Sequence, residues 1–328
     1  MDTRTLGKTG RTVSVIGLGT WQLGADWGDV SEAEATTVLA ASVDAGVTFF
    51  DTADVYGDGR SEQIIGRFLA GSPAGAGITV ATKMGRRVDQ LAENYVLANF
   101  RAWTDRSRAN LGMDTLHLVQ LHCPPSAVVE SNEVYDALDT LVAEGAIASY
   151  GVSVETCDQA LAAISRPGLA TVQIILNAFR LKPLEEVVPS ARAAGVGIIA
   201  RVPLASGLLT GKYTRDTAFA TNDHRNYNRD GSAFDVGETF SGVDYETGLK
   251  AAAEFAAIVP DGLTPAQAAL AWVAQIDGVS SVIPGARSVA QAEANAAAGS
   301  IPQLSLEFNE GVQDIYDRML RDQIHPRW

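Results

Sequence analysis

The chain has 328 residues, and its 39 acidic and 25 basic side chains give a formal net charge of −14. This acidity argues against proteins that bind nucleic acid or an anionic membrane, since their affinity comes from Lys and Arg. Two cysteines are too few for a disulfide scaffold and favour a reducing compartment. Without a signal-peptide pattern or an apolar stretch of about 18 residues, we expect a cytoplasmic protein.

Short apolar runs alternate with helical patterns along the chain. Eight runs have the length and the β-branched composition of buried strands, and they cover residues 13–18, 48–50, 78–82, 116–121, 147–152, 171–176, 196–200 and 279–283. Strands that alternate with helices predict βαβ units in a parallel sheet.

Capping residues mark where several helices begin. Ser31 followed by Glu34, and Ser288 followed by Gln291, have the spacing of a capping box. The pair Thr264-Pro265 predicts an N-cap with proline at the first helical position.

Eight βα units without a linker predict a single domain over residues 1–328, an α/β fold of the (β/α)8 TIM-barrel type. The surplus residues predict an N-terminal hairpin with its turn at 6–11, a long insertion at 211–242 after the seventh strand, and a C-terminal helical tail at 300–328. An insertion of this length is either a lid or a disordered loop. A doubly wound sheet is the competing fold, but segment 17–21 lacks the third glycine of its G-x-G-x-x-G motif.

Ionisable residues follow three consecutive strands of the predicted barrel. Asp51, Lys83 and His122 come directly after the runs that end at residues 50, 82 and 121, and Tyr56 lies in the loop after Asp51. Because the carboxyl ends of barrel strands meet at one rim, we expect these four side chains to lie together at the mouth.

These four side chains suit the reduction of a carbonyl group. A tyrosine hydroxyl has a pKa of about 10, and we expect the ammonium of Lys83 to lower the pKa of Tyr56 by favouring the phenolate. Asp51 would keep Lys83 charged in a partly dry site, while His122 could orient the carbonyl oxygen. General acid catalysis of this kind is worth about 10²–10⁴-fold. None of these residues carries electrons, so the reaction needs a hydride cofactor.

The segments around these residues resemble the signature of the aldo-keto reductase family. The similarity covers nearly the whole chain in order, in FDTADVYG (50–57), TK (82–83), QLHCP (120–124), PLASGLLTGK (203–212) and IPGAR (283–287). The resemblance implies a barrel that prefers NADP(H) and reversibly reduces an aldehyde or a ketone to an alcohol. It also implies that Tyr56 is the proton donor and Lys83 its electrostatic partner. Asp51 then holds Lys83, and His122 orients the carbonyl.

The resemblance implies a cofactor site as well. The residues that match family contacts to NADP(H) are Thr20, Trp21, Asp51, Ser153, Gln173, Arg201, Pro203, Leu204, Ser206, Gly207, Lys212, Gly285, Arg287, Gln291 and Asn295. Ser153 and Gln173 match contacts to the carboxamide, and Lys212 matches a pyrophosphate contact. Arg287 would bind the 2′-phosphate as a charge-assisted pair. Arg201 stands where the family commonly has a Tyr or Trp on the nicotinamide, and its charge is expected to disfavour the oxidised ring.

Further contacts are expected from the insertion and from aromatic residues. Arg225 or Arg229 is expected to close over bound cofactor. The predicted substrate contacts are Trp21, Trp27, Tyr56 and His122. We predict no metal, because the Asp, Glu and His residues show no metal-ligand spacing and Cys123 has no acid partner in sequence.

Two other functions compete with an NADPH-dependent carbonyl reductase. Some relatives in the family, such as potassium-channel β subunits, bind NADP as redox-sensing regulatory subunits, but they carry Asn where this chain has His122. A Schiff-base lyase that uses Lys83 is the other candidate, and pairing with Asp51 argues against it by keeping the amine charged. The sequence leaves the substrate open among sugars, steroids, pyridoxal and small aldehydes, and it does not indicate an oligomeric state.

Overall fold

The computed structural model describes residues 1–24, 30–221 and 223–328. Eight strands of this part form one parallel sheet whose spatial order follows the chain, and two further strands form an antiparallel hairpin. The strands are β1 (Thr3–Thr5), β2 (Thr12–Ser14), β3 (Leu18–Gly19), β4 (Phe49–Asp51), β5 (Thr79–Met84), β6 (Leu118–His122), β7 (Tyr150–Ser153), β8 (Leu169–Ile175), β9 (Gly197–Arg201) and β10 (Val279–Val282). Bridges from Ile16 to Val282 and from Gly19 to Gly285 join the two ends of the sheet. This arrangement confirms the predicted (β/α)8 barrel.

The helices fill the connections between strands. The α-helices of the described chain are α1 (Glu32–Asp44), α2 (Arg60–Gly71), α3 (Leu97–Leu111), α4 (Ser126–Glu130), α5 (Asn132–Ala143), α6 (Cys157–Ile164), α7 (Val187–Ala194), α8 (His224–Tyr227), α9 (Tyr245–Ile258), α10 (Pro265–Gln275), α11 (Val289–Ala297), α12 (Leu306–Met319) and α13 (Arg321–Ile324). Within the described residues, no helix has the length and apolar character needed to cross a membrane.

Two of the three predicted caps form as expected. Ser31 and Glu34 make a reciprocal capping box on α1, and Thr264 does the same for α10 with proline at the start of the helix. Ser288 caps α11 by accepting from the Gln291 N–H. The reciprocal half of that box is absent because the Gln291 side chain instead accepts from the backbone N–H of Arg287 at 2.8 Å.

The first predicted strand, 13–18, is wrong as a single element. Val13 pairs with Arg4 in the N-terminal hairpin, whereas Leu18 pairs with Phe50 in the barrel. The change of partner falls at Val15, whose N–H donates to the Asp2 carbonyl of the hairpin while its own carbonyl accepts from the Val282 N–H of β10. The apolar run therefore serves two sheets in succession.

Alternate residues of a strand point to opposite faces, and this period places the polar residues of the barrel mouth. A cluster of apolar side chains inside the barrel joins the hairpin residues Leu6 and Val13 to Phe49, Ala81, Leu118, Ile199 and Ile283. Two positions further along their strands come Asp51, Lys83, Gln120 and Arg201. The polar layer at the carboxyl ends thus rests on this packed apolar cluster.

The insertion and the tail lie against each other. The insertion contains α8 and two 3₁₀ turns, Val236–Glu238 and Phe240–Gly242. The indole N–H of Trp328 donates to Asp235 in the insertion at 3.3 Å. The guanidinium of Arg180 lies 4.2 Å from the centroid of the Trp328 ring. The predicted helical tail therefore also anchors the insertion to the barrel.

Candidate active site

The four side chains predicted to form the site lie together at the barrel mouth. Asp51 and His122 end strands β4 and β6, Lys83 lies near the end of β5, and Tyr56 comes from the loop after β4. The Lys83 Nζ atom is 2.5 Å from Asp51 Oδ1 and 3.4 Å from the Tyr56 hydroxyl. The structure brings these three groups into one hydrogen-bonded chain.

Lys83 is buried and held as a cation. Its ammonium also donates to the backbone carbonyl of Thr52 at 2.9 Å, so three oxygen acceptors surround it. Burial opposes the charge of Lys83, but Asp51 and Tyr56 outweigh burial and raise the pKa of the ammonium. An amine held in this way has no lone pair for attack on a carbonyl, which argues against the lyase.

Two glutamines orient the carboxylate of Asp51. Gln120 and Gln173 donate to Asp51 Oδ2 at 3.1 and 2.8 Å, leaving Oδ1 for Lys83. The sequence predicted Gln173 as a cofactor contact, whereas its amide N–H groups here face Asp51 and Gln120. Gln120 was not predicted, although it shares the inward face of β6 with His122 two residues later.

The pKa of Tyr56 differs in direction from the sequence expectation. Burial raises the pKa of the phenol above its ordinary value, and the nearby charge of Lys83 opposes that rise without overcoming it. The predicted lowering neglected the cost of burying a phenolate. Tyr56 is therefore protonated at neutral pH, which is the state a proton donor requires.

His122 is neutral and faces Tyr56. Burial and the charges of Arg86, Lys83 and Arg201 hold its pKa well below the ordinary value for histidine. Its ring lies edge-on to the Tyr56 ring, with centroids 5.9 Å apart. The Nδ1 atom is buried without a hydrogen-bond partner among the described residues. A neutral imidazole can donate a hydrogen bond to a carbonyl oxygen but holds no spare proton for transfer.

Two cavities open on either side of Tyr56. The first cavity, of about 920 Å³, contains His122, Cys123 and Glu155 in its wall. The second cavity, of about 560 Å³, extends past Pro203 toward Arg287. The described residues that border both are Trp21, Tyr56, Gln173, Arg201 and Glu238. The phenol therefore lies at the junction between two binding spaces.

The second cavity gathers nearly all the residues predicted to bind the cofactor. Its wall includes Thr20, Trp21, Asp51, Gln173, Arg201, Pro203, Leu204, Ser206, Gly207, Lys212, Arg225, Gly285, Arg287, Gln291 and Asn295. Ser153 borders the first cavity instead, where its hydroxyl lies 3.4 Å from the sulfur of Cys123.

The wall of the second cavity fits a dinucleotide. Lys212 and Arg287 supply two exposed cations for phosphate groups. Ser206 and Gly207 have left-handed backbone angles, and a Cβ on Gly207 would lie 2.2 Å from the Tyr213 hydroxyl. A Cβ on Gly285 would lie 1.9 Å from the Gln22 side chain. The left-handed backbone of Gly207 favours glycine, and glycine at both positions leaves the backbone facing the cavity.

The two arginines proposed to close over the cofactor lie in different places. Arg225 borders the second cavity, where its side chain is bonded to Asp223 and to the Tyr213 hydroxyl. Arg229 is exposed and packs against aromatic rings, with its guanidinium 4.9 Å from the centroid of Tyr245. Of these two arginines, Arg225 borders the second cavity in this structure and Arg229 does not.

The sequence model of the Aldo/keto reductase family matches residues 15–317. The chain belongs to this family. An uncharacterized oxidoreductase of Mycobacterium tuberculosis is 33% identical over 314 residues, which span 92% of this chain and 89% of that protein. A probable voltage-gated potassium channel β subunit of Oryza sativa is 31% identical, with 96% of each chain covered.

Solved structures of aldo-keto reductases share the fold along the whole chain. The glycerol dehydrogenase of Gluconobacter oxydans superposes with a TM-score of 0.79 at 29% identity, covering 100% of this chain and 98% of its own. The aldo-keto reductase of Klebsiella pneumoniae in complex with NADPH has a TM-score of 0.70 at 25% identity, with 96% of each chain covered.

This aldo-keto reductase carries four charged side chains in a closed arrangement beside the first cavity, which we call the charge ring: Arg86, Glu155, Arg201 and Glu238. Arg201 lies 2.9 Å from a carboxylate oxygen of each glutamate. Arg86 lies 3.2 Å from the other oxygen of Glu155 and 3.9 Å from that of Glu238. The positive charge of Arg201, which the sequence analysis treated as isolated, is therefore balanced by two carboxylates.

The charge ring shifts the pKa values of its members in opposite directions. Burial disfavours the charge of Glu155, but Arg201 and Arg86 outweigh burial and lower the pKa of its carboxyl group. Burial raises the pKa of Glu238, and the neighbouring Glu155 adds to the rise. The charge of Glu155 is thus the better stabilised of the two.

Cys123 lies next to the charge ring. Its thiol and the carboxylates of Glu155 and Glu238 are close enough together to hold a metal ion, a cluster that spacing along the sequence did not reveal. The guanidinium of Arg201 lies among them, 3.7 Å from the Cys123 sulfur. Burial raises the pKa of the Cys123 thiol to about 12, so the sulfur is protonated and a weak metal ligand.

Of the two tryptophans predicted to contact substrate, the structure describes Trp21 but not Trp27. Trp21 borders both cavities and stacks on the Tyr56 ring at a centroid distance of 6.0 Å. Trp27 lies outside the described residues, and its contact with substrate stays a prediction.

Asp54, which lies in the same loop after β4 as Tyr56, was not predicted as a site residue. Asp54 is buried, and its Oδ1 atom has no hydrogen-bond partner in the described chain. Burial and the neighbouring Glu62 raise the pKa of Asp54 to about 7. Asp54 stands within the segment FDTADVYG (50–57), but that segment does not reveal its burial or the neighbouring charge of Glu62.

Proposed function

We propose that this chain is an NADP(H)-dependent carbonyl reductase that reversibly converts an aldehyde or a ketone to an alcohol. One observation carries the proposal: the Tyr56 hydroxyl lies at the junction of the two cavities, 3.4 Å from the Lys83 ammonium. A carbonyl in the first cavity and a nicotinamide in the second cavity would therefore meet beside a protonated phenol. This geometry suits one hydride and one proton arriving at the same carbonyl group.

Residues of the second cavity suit NADP(H) as the cofactor, which supplies a hydride when it is bound. Lys212 would hold the pyrophosphate, and Arg287 the 2′-phosphate. The similarity to the NADPH complex of the Klebsiella pneumoniae enzyme supports this choice. Because the charge of Arg201 is balanced by Glu155 and Glu238, Arg201 can adjoin the nicotinamide in either oxidation state.

The proton path follows from the hydrogen-bonded chain. His122 donates a hydrogen bond to the carbonyl oxygen and orients it toward Tyr56. Tyr56 transfers its hydroxyl proton to that oxygen as the alcohol forms. Lys83 stabilises the phenolate that remains, and Asp51 keeps Lys83 charged at 2.5 Å. In alcohol oxidation the same groups act in the opposite order.

The insertion 211–242 covers bound cofactor in this proposal. Arg225 supports the role because it already borders the second cavity. Limited proteolysis tests it: we expect cleavage within the insertion to slow when NADP⁺ is added. Equal cleavage with and without NADP⁺ would remove the covering role.

A regulatory subunit that senses the redox state of NADP is the second candidate. The similarity to a probable channel β subunit of Oryza sativa favours it. The intact group of Asp51, Tyr56, Lys83 and His122 favours the enzyme. Turnover separates the two, because a regulatory subunit would bind NADPH without appreciable oxidation in the presence of carbonyl compounds.

The test of the proposed function has two steps. Titration of NADPH fluorescence measures binding, and the absorbance of reduced nicotinamide then measures turnover with a panel of aldehydes and ketones. We expect saturable binding and substrate-dependent oxidation of NADPH. Binding without oxidation would favour the regulatory subunit, and no binding would contradict both functions.

A further inference from the structure

The charge ring shapes one wall of the first cavity. Its members come from separate parts of the chain: Arg86 follows β5, Glu155 follows β7, Arg201 ends β9, and Glu238 lies in the insertion. All four border the first cavity, at the same mouth as Tyr56 and His122. Whatever extends from the reacting carbonyl into this cavity therefore meets charged, hydrogen-bonding groups.

The arginines of the charge ring are already paired. Each glutamate presents one carboxylate oxygen to Arg86 and the other to Arg201. Two further carboxylates, Asp89 and Asp235, also border the cavity. A carboxylate or phosphate on the substrate would find Arg86 and Arg201, the arginines of the described wall, already paired with glutamates, and it would add to the negative charge of the carboxylates. The cavity therefore disfavours anionic ligands.

Neutral hydroxyl groups match this wall better than anionic or apolar groups do. A hydroxyl both donates and accepts, so it can donate to Glu155, Asp89 or Asp235 and accept from Arg86. These polar groups would lose water without compensation against an alkyl chain, which makes an apolar substrate costly. The polar wall thus selects for hydroxyl groups.

The lining of the first cavity also includes apolar side chains. It contains Trp21, Val55, Tyr227 and Phe234. Trp21 and Phe234 meet edge to face at a centroid distance of 6.0 Å, which fixes both rings. A short polyol chain carries C–H bonds as well as hydroxyl groups, so it can contact both kinds of side chain in this cavity.

We propose that the first cavity binds neutral, polyhydroxylated aldehydes or ketones, with their hydroxyl groups toward the charge ring and their C–H bonds toward Trp21 and Phe234. The inference rests on the proposed carbonyl reductase function and names the substrate class of that site. Anionic and purely alkyl carbonyl compounds of the same length are the poorer substrates.

Two matched sets of aldehydes test this preference in the full-length protein with NADPH. Propanal, lactaldehyde and glyceraldehyde share three carbons and carry no, one and two hydroxyl groups. Butanal and succinic semialdehyde share four carbons and differ by one carboxylate. With kcat/KM expressed per concentration of free aldehyde, we expect about a tenfold gain for each hydroxyl group, from hydrogen bonds to charged groups. We also expect at least a tenfold loss for the carboxylate.

A charge-ring variant tests the assignment to specific residues. Glu155→Gln removes one of the carboxylates that neutralise Arg86 and Arg201. The two arginines can then attract an anionic substrate, so the ratio of kcat/KM for succinic semialdehyde to that for butanal should rise at least tenfold. The ratio for glyceraldehyde to propanal should fall. Glu254→Gln is the control, because Glu254 pairs with Arg318 on the surface of α9, and both ratios should stay as in the wild type.

Arg86→Gln provides a second variant if Glu155→Gln fails to fold, as judged by loss of NADPH binding. It removes a positive charge, so discrimination against succinic semialdehyde should increase and the gain from hydroxyl groups should shrink. Unchanged ratios in a folded Glu155→Gln or Arg86→Gln protein would overturn the role of the charge ring.

A wrong substrate class and a wrong proposed function give different results with these aldehydes. If propanal and butanal are reduced as well as glyceraldehyde, or better, the enzyme is a carbonyl reductase and the substrate class is wrong. If none of the five aldehydes is reduced although NADPH binds, the substrate class is wrong, and the wider panel of aldehydes and ketones then decides whether the proposed function fails as well.

Discussion

Replacing Tyr56 by phenylalanine removes one oxygen atom from the junction of the two cavities and leaves the ring in place. Phenylalanine keeps the stacking on Trp21 at 6.0 Å and the edge contact with His122 at 5.9 Å. Lys83 keeps its bonds to Asp51 and to the Thr52 carbonyl. The substitution therefore isolates the hydroxyl group from the packing around it.

The loss of catalytic activity expected from Tyr56→Phe follows from the side chains that remain at the junction of the two cavities. Of the described residues that border both cavities, Tyr56 alone carries a hydroxyl group. Proton transfer then depends on water, and general acid catalysis of about 10²–10⁴-fold is lost. This range corresponds to about 3–5 kcal/mol of transition-state stabilisation.

The assay measures kcat/KM for an aldehyde and the NADPH dissociation constant by fluorescence. We expect the dissociation constant to stay within about twofold while kcat/KM falls by at least 10². Tyr135→Phe is the matched control: this buried tyrosine on α5 packs under Arg166 at 4.8 Å, away from the cavities, and its loss should leave kcat/KM unchanged. A Tyr56→Phe enzyme that keeps more than a tenth of wild-type kcat/KM would refute the proton-donor role.

Three further predictions concern the cation, the cofactor and acid stability. Lys83→Met leaves Asp51 charged and buried without its cation, so chemical denaturation should show a loss of about 3–5 kcal/mol in the free energy of unfolding; a loss below 1 kcal/mol would contradict the buried pair. Arg287→Ala should raise the dissociation constant of NADPH at least tenfold and that of NADH less than twofold, and equal effects would remove the 2′-phosphate contact. Burial and Arg11 lower the pKa of His117 to about 4, and its Nδ1 accepts the Val80 N–H at 3.1 Å. The folded state thus binds fewer protons than the unfolded state, so stability should fall as the pH drops from about 6.5 toward 4, by about 1–2 kcal/mol after screening, and His117→Leu should flatten that fall.

Much of the barrel could be predicted because its strands repeat one pattern. Buried strands of a parallel sheet give apolar runs, and the residue after each run lies at the mouth. This relation located Asp51, Lys83 and His122 without any knowledge of contacts. It failed at residues 13–18, where one apolar run continues from the hairpin into the barrel and changes its hydrogen-bonding partner at Val15.

The supporting residues of the site could not be predicted in the same way. Glu155 and Glu238 are 83 positions apart in sequence and meet only because the insertion folds back over the mouth. Their identity as partners of Arg201 depends on distances that no local pattern encodes. Gln120 was not predicted either, but it could have been, because the period of β6 places it on the same face as His122.

The pKa of Tyr56 shows a second limit of sequence reasoning. Proximity to Lys83 could be inferred from strand order, but the degree of burial could not. Burial proved the larger influence and raised the pKa that the ammonium alone would lower. The consequence is a phenol that stays protonated across the physiological range.

The dependence of kcat on pH during carbonyl reduction, at saturating NADPH, tests most directly whether Tyr56 or His122 gives the proton. With Tyr56 as the donor, kcat stays constant through neutral pH and falls only above about pH 10, the ordinary pKa of tyrosine. With His122 as the donor, kcat would already fall with rising pH on the acid side of neutrality, because burial and the nearby cations hold the pKa of His122 well below its ordinary value. A fall of kcat with rising pH below neutrality that persists in Asp54→Asn, which removes a nearby carboxyl group with a pKa of about 7, would contradict the account.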